Sequence, residues 1–284
     1  MPDLYQQLLD RAQRVASIYA AHPHARAVIV VGSLARRQYD AYSDIDMTVF
    51  YDHVPTEDEI RAGREAAQAT EWMRFPGGEA DEFADSFLID QVECQVGHCT
   101  IARIERDLSA VLRDYSTNHE QHVIVGGIGE SLALYGAELV SEWQRQCQSY
   151  PDPLAQAVVR EHMRFAPFWV FERRLPSRDA PLFMRQYLID QAHKLLAALS
   201  GLNRMYPQLH FKRIDAYTVR MRLAPPQLAA RIKRMLSVDD DIALGLLREL
   251  VSETFDLMSQ HLPEVDLTAA RQRFDQPPRF LTTR

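Results

Sequence analysis

Two short apolar runs, joined through a glycine-serine turn and a pair of aspartates, restrict the possible folds of this chain most. The first run, Ala27 to Val31, ends in Gly32-Ser33, and Ser43-Asp44-Ile45-Asp46 then opens the second, Met47 to Tyr51. Both runs are rich in β-branched residues and have strand length, so each predicts a strand. Between them Ser33–Tyr39 predicts a two-turn helix carrying Arg36 and Arg37. Gly32 lets the backbone approach a ligand closely, and free N–H groups at the start of the following helix suit a phosphate. Asp44 and Asp46 stand two apart on an extended chain, so both side chains leave the same face. Carboxylates converging at one strand end offer the hard oxygens that Mg²⁺ prefers. The plainer reading of the same residues is a strand-to-helix turn with Ser33 as N-cap and a solvated strand end rich in acids.

A third acid lies further on. Phe83–Ile89 and Val92–His98 predict a hairpin across Asp90-Gln91, although Gln91 departs from the Asn-Gly or Asp-Gly usual in such turns. Val92, Cys94 and Val96 point one way along the second strand and Gln91, Glu93 and Gln95 the other. Glu93 is therefore on a polar face, where a sheet brings it toward Asp44 and Asp46.

These residues resemble a known pattern. Val31-Gly32-Ser33, a short helix, Asp44-Ile45-Asp46 and then Val92-Glu93-Cys94 are similar to the motifs of the nucleotidyltransferase superfamily of the DNA polymerase β type. Closest in look are the small-molecule nucleotidyltransferases that include aminoglycoside and lincosamide resistance enzymes. The resemblance covers about the first hundred residues. It implies an α/β (α+β) domain with a small mixed sheet, and Asp44, Asp46 and Glu93 as catalytic ligands of a pair of Mg²⁺ ions. It also implies ATP as donor and a nucleoside monophosphate passed to a hydroxyl with release of pyrophosphate. Gly32, Ser33 and Arg36 then become phosphate contacts, with Lys212, in Phe211-Lys212-Arg213, as a further one from the C-terminal half. Glu93 can act as metal ligand or as general base for the acceptor hydroxyl, and both readings stand. Many relatives carry a glycine near Arg37, and this chain does not.

With 284 residues the chain can bury a sizeable core. A net charge of −7 argues against a polynucleotide partner, whose phosphates need clustered Lys and Arg, and suits a cationic small acceptor. Three cysteines, Cys94, Cys99 and Cys147, form no C-x-x-C pair, which predicts a reducing, cytoplasmic setting without disulfides or zinc. Neither a signal peptide nor a membrane-spanning run is evident.

Helical spacing predicts helices over Leu4–Ala20, Thr56–Thr70 (with Thr56 and Glu59 as a capping box), Thr100–Tyr115 and Leu132–Gln148. Trp72–Phe75 reads as a strand and Pro76-Gly77-Gly78 as a turn. Val123–Glu130, with three glycines but no P-loop lysine, reads as a turn or helix start. Tyr150-Pro151-Asp152-Pro153 breaks any helix and sets the domain boundary, giving a catalytic domain over 1–149 and a helical bundle over 150–284. Within the bundle, helices are expected over Leu154–Phe171, Pro181–Leu199, Pro226–Leu236 and Asp239–His261, followed by a loose tail from Pro277.

The expected activity is thus Mg²⁺-dependent nucleotidylation of a small molecule such as an aminoglycoside- or lincosamide-like antibiotic, its acceptor between the domains. Arg160, Arg164, Phe165, Phe168, Trp169 and Phe171 either line that pocket or form the bundle core, and Glu161 or Glu172 could grip an amino-sugar. Tyr206 either stacks on a base or fills a gap. Two alternatives are nucleotidylation (AMPylation) of a protein partner in a toxin–antitoxin-like system and a non-catalytic nucleotide-binding protein. The helical half argues against the first, and the presence of all three acids against the second.

Overall fold

The computed structural model describes residues 3–75, 81–207 and 211–278, so the turn expected at Pro76-Gly77-Gly78 and the last residues of the tail lie outside the described residues. The chain divides into two compact units, Met1–Asp114 with Ile124–Ser149, and Tyr115–Val123 with Tyr150–Arg284.

The first unit is built on a mixed six-stranded sheet. Its elements are α1 (Leu4–Ala20), β1 (Ala25–Val30), α2 (Gly32–Ala35), β2 (Ile45–Tyr51), α3 (Glu57–Ala66), β3 (Thr70–Arg74), β4 (Glu82–Ile89), β5 (Val92–Thr100), α4 (Ile101–Leu112), β6 (Leu132–Tyr135) and α6 (Ala137–Gln148). Helix α5 (His119–Gly129) precedes β6 and is divided between the two units. The strand order is β3-β4-β5-β2-β1-β6. Only β2 and β5 pair in parallel; the other pairs are antiparallel. A parallel pair needs a long crossover, and the α3–β3–β4 segment supplies it.

Alternation along β2 decides which residues reach which face. Ile45, Met47, Val49 and Tyr51 are buried and cluster with Leu8, Ala12, Val15 and Tyr19 of α1. Asp46, Thr48 and Phe50 point to the opposite face, where Phe50 meets Trp143 of α6 edge to face at 4.9 Å. Helix starts follow local chemistry. Asp3 caps α1 by accepting from the Gln6 N–H, Thr56 and Glu59 form a reciprocal capping box at α3, and the Thr100 hydroxyl accepts from the Arg103 N–H at α4.

Four expectations differ from the structure. Helix α2 is four residues long and ends at Ala35, because Arg37 is in the left-handed region at φ 55°. The stretch Leu132–Gln148 is a strand and a helix, divided at Gly136. Gly136 has φ 67° and packs so close to Arg26 and Ala27 that any Cβ would overlap their backbone. The four residues before it pair with β1 and are too few to show a strand period. The glycines of Val123–Glu130, Gly126, Gly127 and Gly129, are all helical, in the C-terminal half of α5. Finally, the helix expected over Leu154–Phe171 stops at His162. Pro167 accounts for this: it lacks a donor and disfavours helical backbone at Ala166.

Among the described residues of the second unit, the regular elements are all helices. It comprises α7 (Asp152–His162), a π-helical turn at Val170–Arg174, a 3-10 turn at Pro176–Arg178, α8 (Pro181–Leu202), α9 (Ile214–Thr218), α10 (Leu228–Met235), α11 (Asp240–His261) and α12 (Thr268–Phe274). Its core joins Val159, Phe165, Phe168, Leu195, Leu199, Ile232, Leu247, Val251, Phe255 and Phe274. Phe165, Phe168 and Phe171 are thus consumed by packing. Glu161 pairs with Arg164, and Glu172 with Arg173 and Arg248. No described helix is long and apolar enough to cross a membrane.

Candidate functional site

The sheet register assembles the polar residues of the first unit. Ile45 pairs with Cys94 and Asp46 with Gln95 across the parallel β2–β5 ladder. Paired residues share a face, so Asp46 and Gln95 lie side by side. Asp44 and Glu93, two positions earlier on each strand, form the next row of the same face. Asp44 is in the last residue pair before β2 begins rather than within the strand. Asp44 and Asp46 are half-buried and Glu93 is exposed. The Gln95 Nε2 donates to Asp44 Oδ2 at 3.3 Å and to Glu93 Oε1 at 3.4 Å. Neither Asp44 nor Glu93 pairs with a Lys or Arg among the described residues.

Gly32 stands beside Asp46. Its φ of 67° admits glycine readily, and a Cβ there would overlap Asp46 Oδ2. The neighbouring Val31 N–H donates to the Asp46 carbonyl at 2.9 Å, which ties the end of β1 to the start of β2. The glycine is therefore needed for the carboxylate to occupy its place. Ser33 follows, with its hydroxyl buried and lacking a hydrogen-bond partner among the described residues. A buried orphan hydroxyl is destabilising by about 1–3 kcal/mol, so Ser33 is a donor and acceptor waiting for a partner.

Arg36 makes an ion pair with Glu130 at 3.6 Å, and its Nε is buried without a hydrogen-bond partner. Arg37 is exposed, with its guanidinium 4.8 Å from the Tyr5 ring centre. Ser43 orients the loop ahead of Asp44: its hydroxyl accepts from the Asp40 N–H at 2.8 Å, while the Asp40 carboxylate accepts from the Tyr42 N–H at 3.0 Å. Lys212 belongs to the second unit, where it is exposed in the turn before α9. In that unit Tyr206 packs against Tyr150 and His122, with ring centres at 5.0 and 6.0 Å.

The donor chemistry of Asp44, Asp46 and Glu93 fits a hard divalent cation. Their side chains are not closed around one point: among the described residues no three His, Cys, Asp or Glu side chains are grouped as a metal cluster. What the sequence reading did not single out is the Gln95 amide lying between two of the carboxylates. Alternation places Gln95 on the same face as Glu93, but an uncharged side chain carries no metal-ligand signal of its own.

The opposite face of the sheet holds a second polar group. Asp85 of β4 is 1 % exposed and accepts from Arg64 Nη1 at 2.6 Å and from Trp72 Nε1 at 3.0 Å. His98 is fully buried, with Nδ1 3.0 Å from the Tyr51 hydroxyl and Nε2 3.5 Å from Asp85 Oδ1. Burial pushes the Asp85 carboxyl up, and the nearby His98 together with the hydrogen bonds from Arg64 and Trp72 outweighs it, leaving the group below the usual carboxylate range. Burial holds the His98 imidazole below its ordinary value, so it is neutral at pH 7. All three cysteines are buried free thiols, pushed up to about 12 by burial, which makes them packing residues rather than nucleophiles.

No family model matches the chain, and no curated protein does. Among solved structures it is similar to a nucleotidyltransferase-like protein from Exiguobacterium sibiricum 255-15, at 15% identity over 90% of this chain and 79% of that one, with a TM-score of 0.40. A likeness that loose carries no argument about the site. The architecture rests on the chain's own elements: a mixed six-stranded α/β sheet followed by a largely helical C-terminal part.

Proposed function

We propose that the chain is a nucleotidyltransferase that moves a nucleoside monophosphate, AMP from ATP, to a hydroxyl of a small cationic acceptor. The observation that supports this best is the common face of Asp44, Asp46 and Glu93, with Gly32 in contact with Asp46 and an unpartnered Ser33 hydroxyl next to it. Acids on one face beside a buried hydroxyl without a partner are what a merely solvated strand end would not need.

Asp44, Asp46 and Glu93 would hold Mg²⁺, which when bound neutralises phosphate charge and lowers the pKa of a bound hydroxyl. The Ser33 hydroxyl and the neighbouring backbone N–H groups would take oxygens of the triphosphate. Arg36 would exchange Glu130 for a phosphate oxygen. Glu93, the exposed acid, is suited to accept the proton of the acceptor hydroxyl. The acceptor oxygen then bonds to the α-phosphorus, the bond from that phosphorus to the bridging oxygen breaks, and pyrophosphate leaves with the electron pair. The net charge of −7 favours a cationic acceptor, and an aminoglycoside- or lincosamide-like antibiotic is the class we favour.

The test is pyrophosphate release from ATP and Mg²⁺ across a panel of aminoglycosides and lincosamides. Release with one class, together with an acceptor heavier by one AMP, is the expected result. No release with any member, by a protein that binds ATP, would overturn the choice of acceptor class.

A further inference from the structure

We propose that Gln95 is a positioning residue of the carboxylate face, a neutral cross-link that keeps Asp44 and Glu93 set for a divalent cation. The inference rests on the nucleotidyltransferase reading and assigns that site a residue which is neither acid nor phosphate contact.

Strand pairing creates the need. Asp44 and Glu93 come from neighbouring parallel strands and stand in one row of one face, where like charges repel. A Lys or Arg between them would relieve the repulsion and also occupy the place of a metal. Neither acid has such a partner among the described residues. What lies between them is the Gln95 amide, whose nitrogen carries two N–H groups. One nitrogen serves both acids, at 3.3 Å to Asp44 Oδ2 and 3.4 Å to Glu93 Oε1. These bonds engage one oxygen of each carboxylate and leave the other to a cation. Because the amide is uncharged, the row keeps its full negative charge while its geometry is restrained.

The position of Gln95 makes the restraint effective. Its backbone is in the interior of the sheet, paired with Asp46 on β2 and with Ser86 on β4. The direction of its Cβ is thereby fixed from both sides, and the side chain reaches along the face from the Asp46 row to the Asp44–Glu93 row. A cation entering the face would draw on two acids already aligned.

The experiment is a titration of the full chain with Mn²⁺, followed by electron paramagnetic resonance, with Mn²⁺ in the place of Mg²⁺. Wild type is expected to bind. Gln95→Met, of similar length and without N–H groups, is expected to bind about ten- to a hundredfold more weakly, the usual effect of removing a residue that orients metal ligands. Its thermal unfolding without metal should match wild type, since a purely structural role would move stability rather than affinity. Gln95→Asn, whose amide is one methylene too short to reach both acids, serves if the Met variant does not fold, with the same loss expected. Equal Mn²⁺ affinity in wild type and variant would overturn the role of Gln95 and leave the metal site standing. Absence of Mn²⁺ binding by wild type would overturn the metal site itself, and the inference with it.

Discussion

Gly32 and Asp46 compete for the same space, and the competition is resolved by leaving Gly32 without a Cβ. Gly32→Ala is therefore expected to act twice. The left-handed backbone and the overlap with Asp46 Oδ2 destabilise the fold by about 1–3 kcal/mol. Transfer falls further than stability, by about a hundredfold, because a carboxylate displaced by an ångström no longer meets its metal in register. Chemical denaturation beside rate measurement separates the two effects, and loss of stability with normal transfer would contradict the role given to Gly32. Asp46→Asn keeps the shape and removes the charge. It is expected to fold normally and to lose at least about a thousandfold in rate, on the order of 4 kcal/mol of transition-state stabilisation. Transfer at near wild-type rate by that variant would contradict the assignment of Asp46.

At the level of elements, the hairpin from β4 to β5 places both polar groups of the first unit. Its turn residues, Asp90 and Gln91, have φ of 48° and 65°, the left-handed pair of a type I′ turn. Asp90 is further held by Arg14 at 2.8 Å. The register so fixed sends Glu93 and Gln95 to one face and Asp85, on β4, to the other. Arg64 of α3 meets Asp85 there with its side chain 8 % exposed, and its guanidinium stacks 4.1 Å from the Trp72 ring centre. Arg64→Met should destabilise the protein by about 3–5 kcal/mol, because it leaves a carboxylate buried and unpaired. Urea unfolding measures this directly, and a loss below about 1 kcal/mol would mean that His98 and Trp72 suffice for Asp85. Short β-branched apolar runs made β1 and β2 legible in the sequence, alternation did so for β5, and the Thr56–Glu59 capping box marked the start of α3. The placement of Glu93 on the polar face followed from the same period. The Asp85 group was not legible, since an isolated acid in Phe83–Ile89 gives no hint of an arginine from a helix earlier in the chain. Strand β6 was hidden because four residues are too few to tell a period of 2 from one of 3.6.

Across the whole molecule, buried histidines set how stability follows pH. His162 in the second unit is held down to about 4, chiefly by burial, against an upward pull from Glu161 and with smaller downward pushes from His119, His122 and Lys194. His122 in the same unit is also lowered by burial, against its hydrogen bond to the Ser116 carbonyl. For each, the unfolded chain binds the proton more readily than the folded one. Their contribution is therefore complete above the ordinary value of 6.5 and is lost as pH falls toward 4. From His162 alone this amounts to up to about 3 kcal/mol. The urea midpoint should drop between pH 7 and pH 4.5, and His162→Phe should flatten that drop. Equal slopes in both proteins would contradict the assignment. On the proposed reading, the net charge of −7 would favour a cationic acceptor at low salt. The central claim, that the Asp44–Asp46–Glu93 face takes a metal-bound nucleotide, is tested most directly by calorimetric titration of ATP with and without Mg²⁺, in wild type and in Asp46→Asn. Binding is expected to require Mg²⁺ and to be at least about tenfold weaker in the variant, a difference of about 1.4 kcal/mol. Failure of ATP, GTP, CTP and UTP alike to bind in the presence of Mg²⁺, or binding of ATP undiminished by Asp46→Asn, would contradict it.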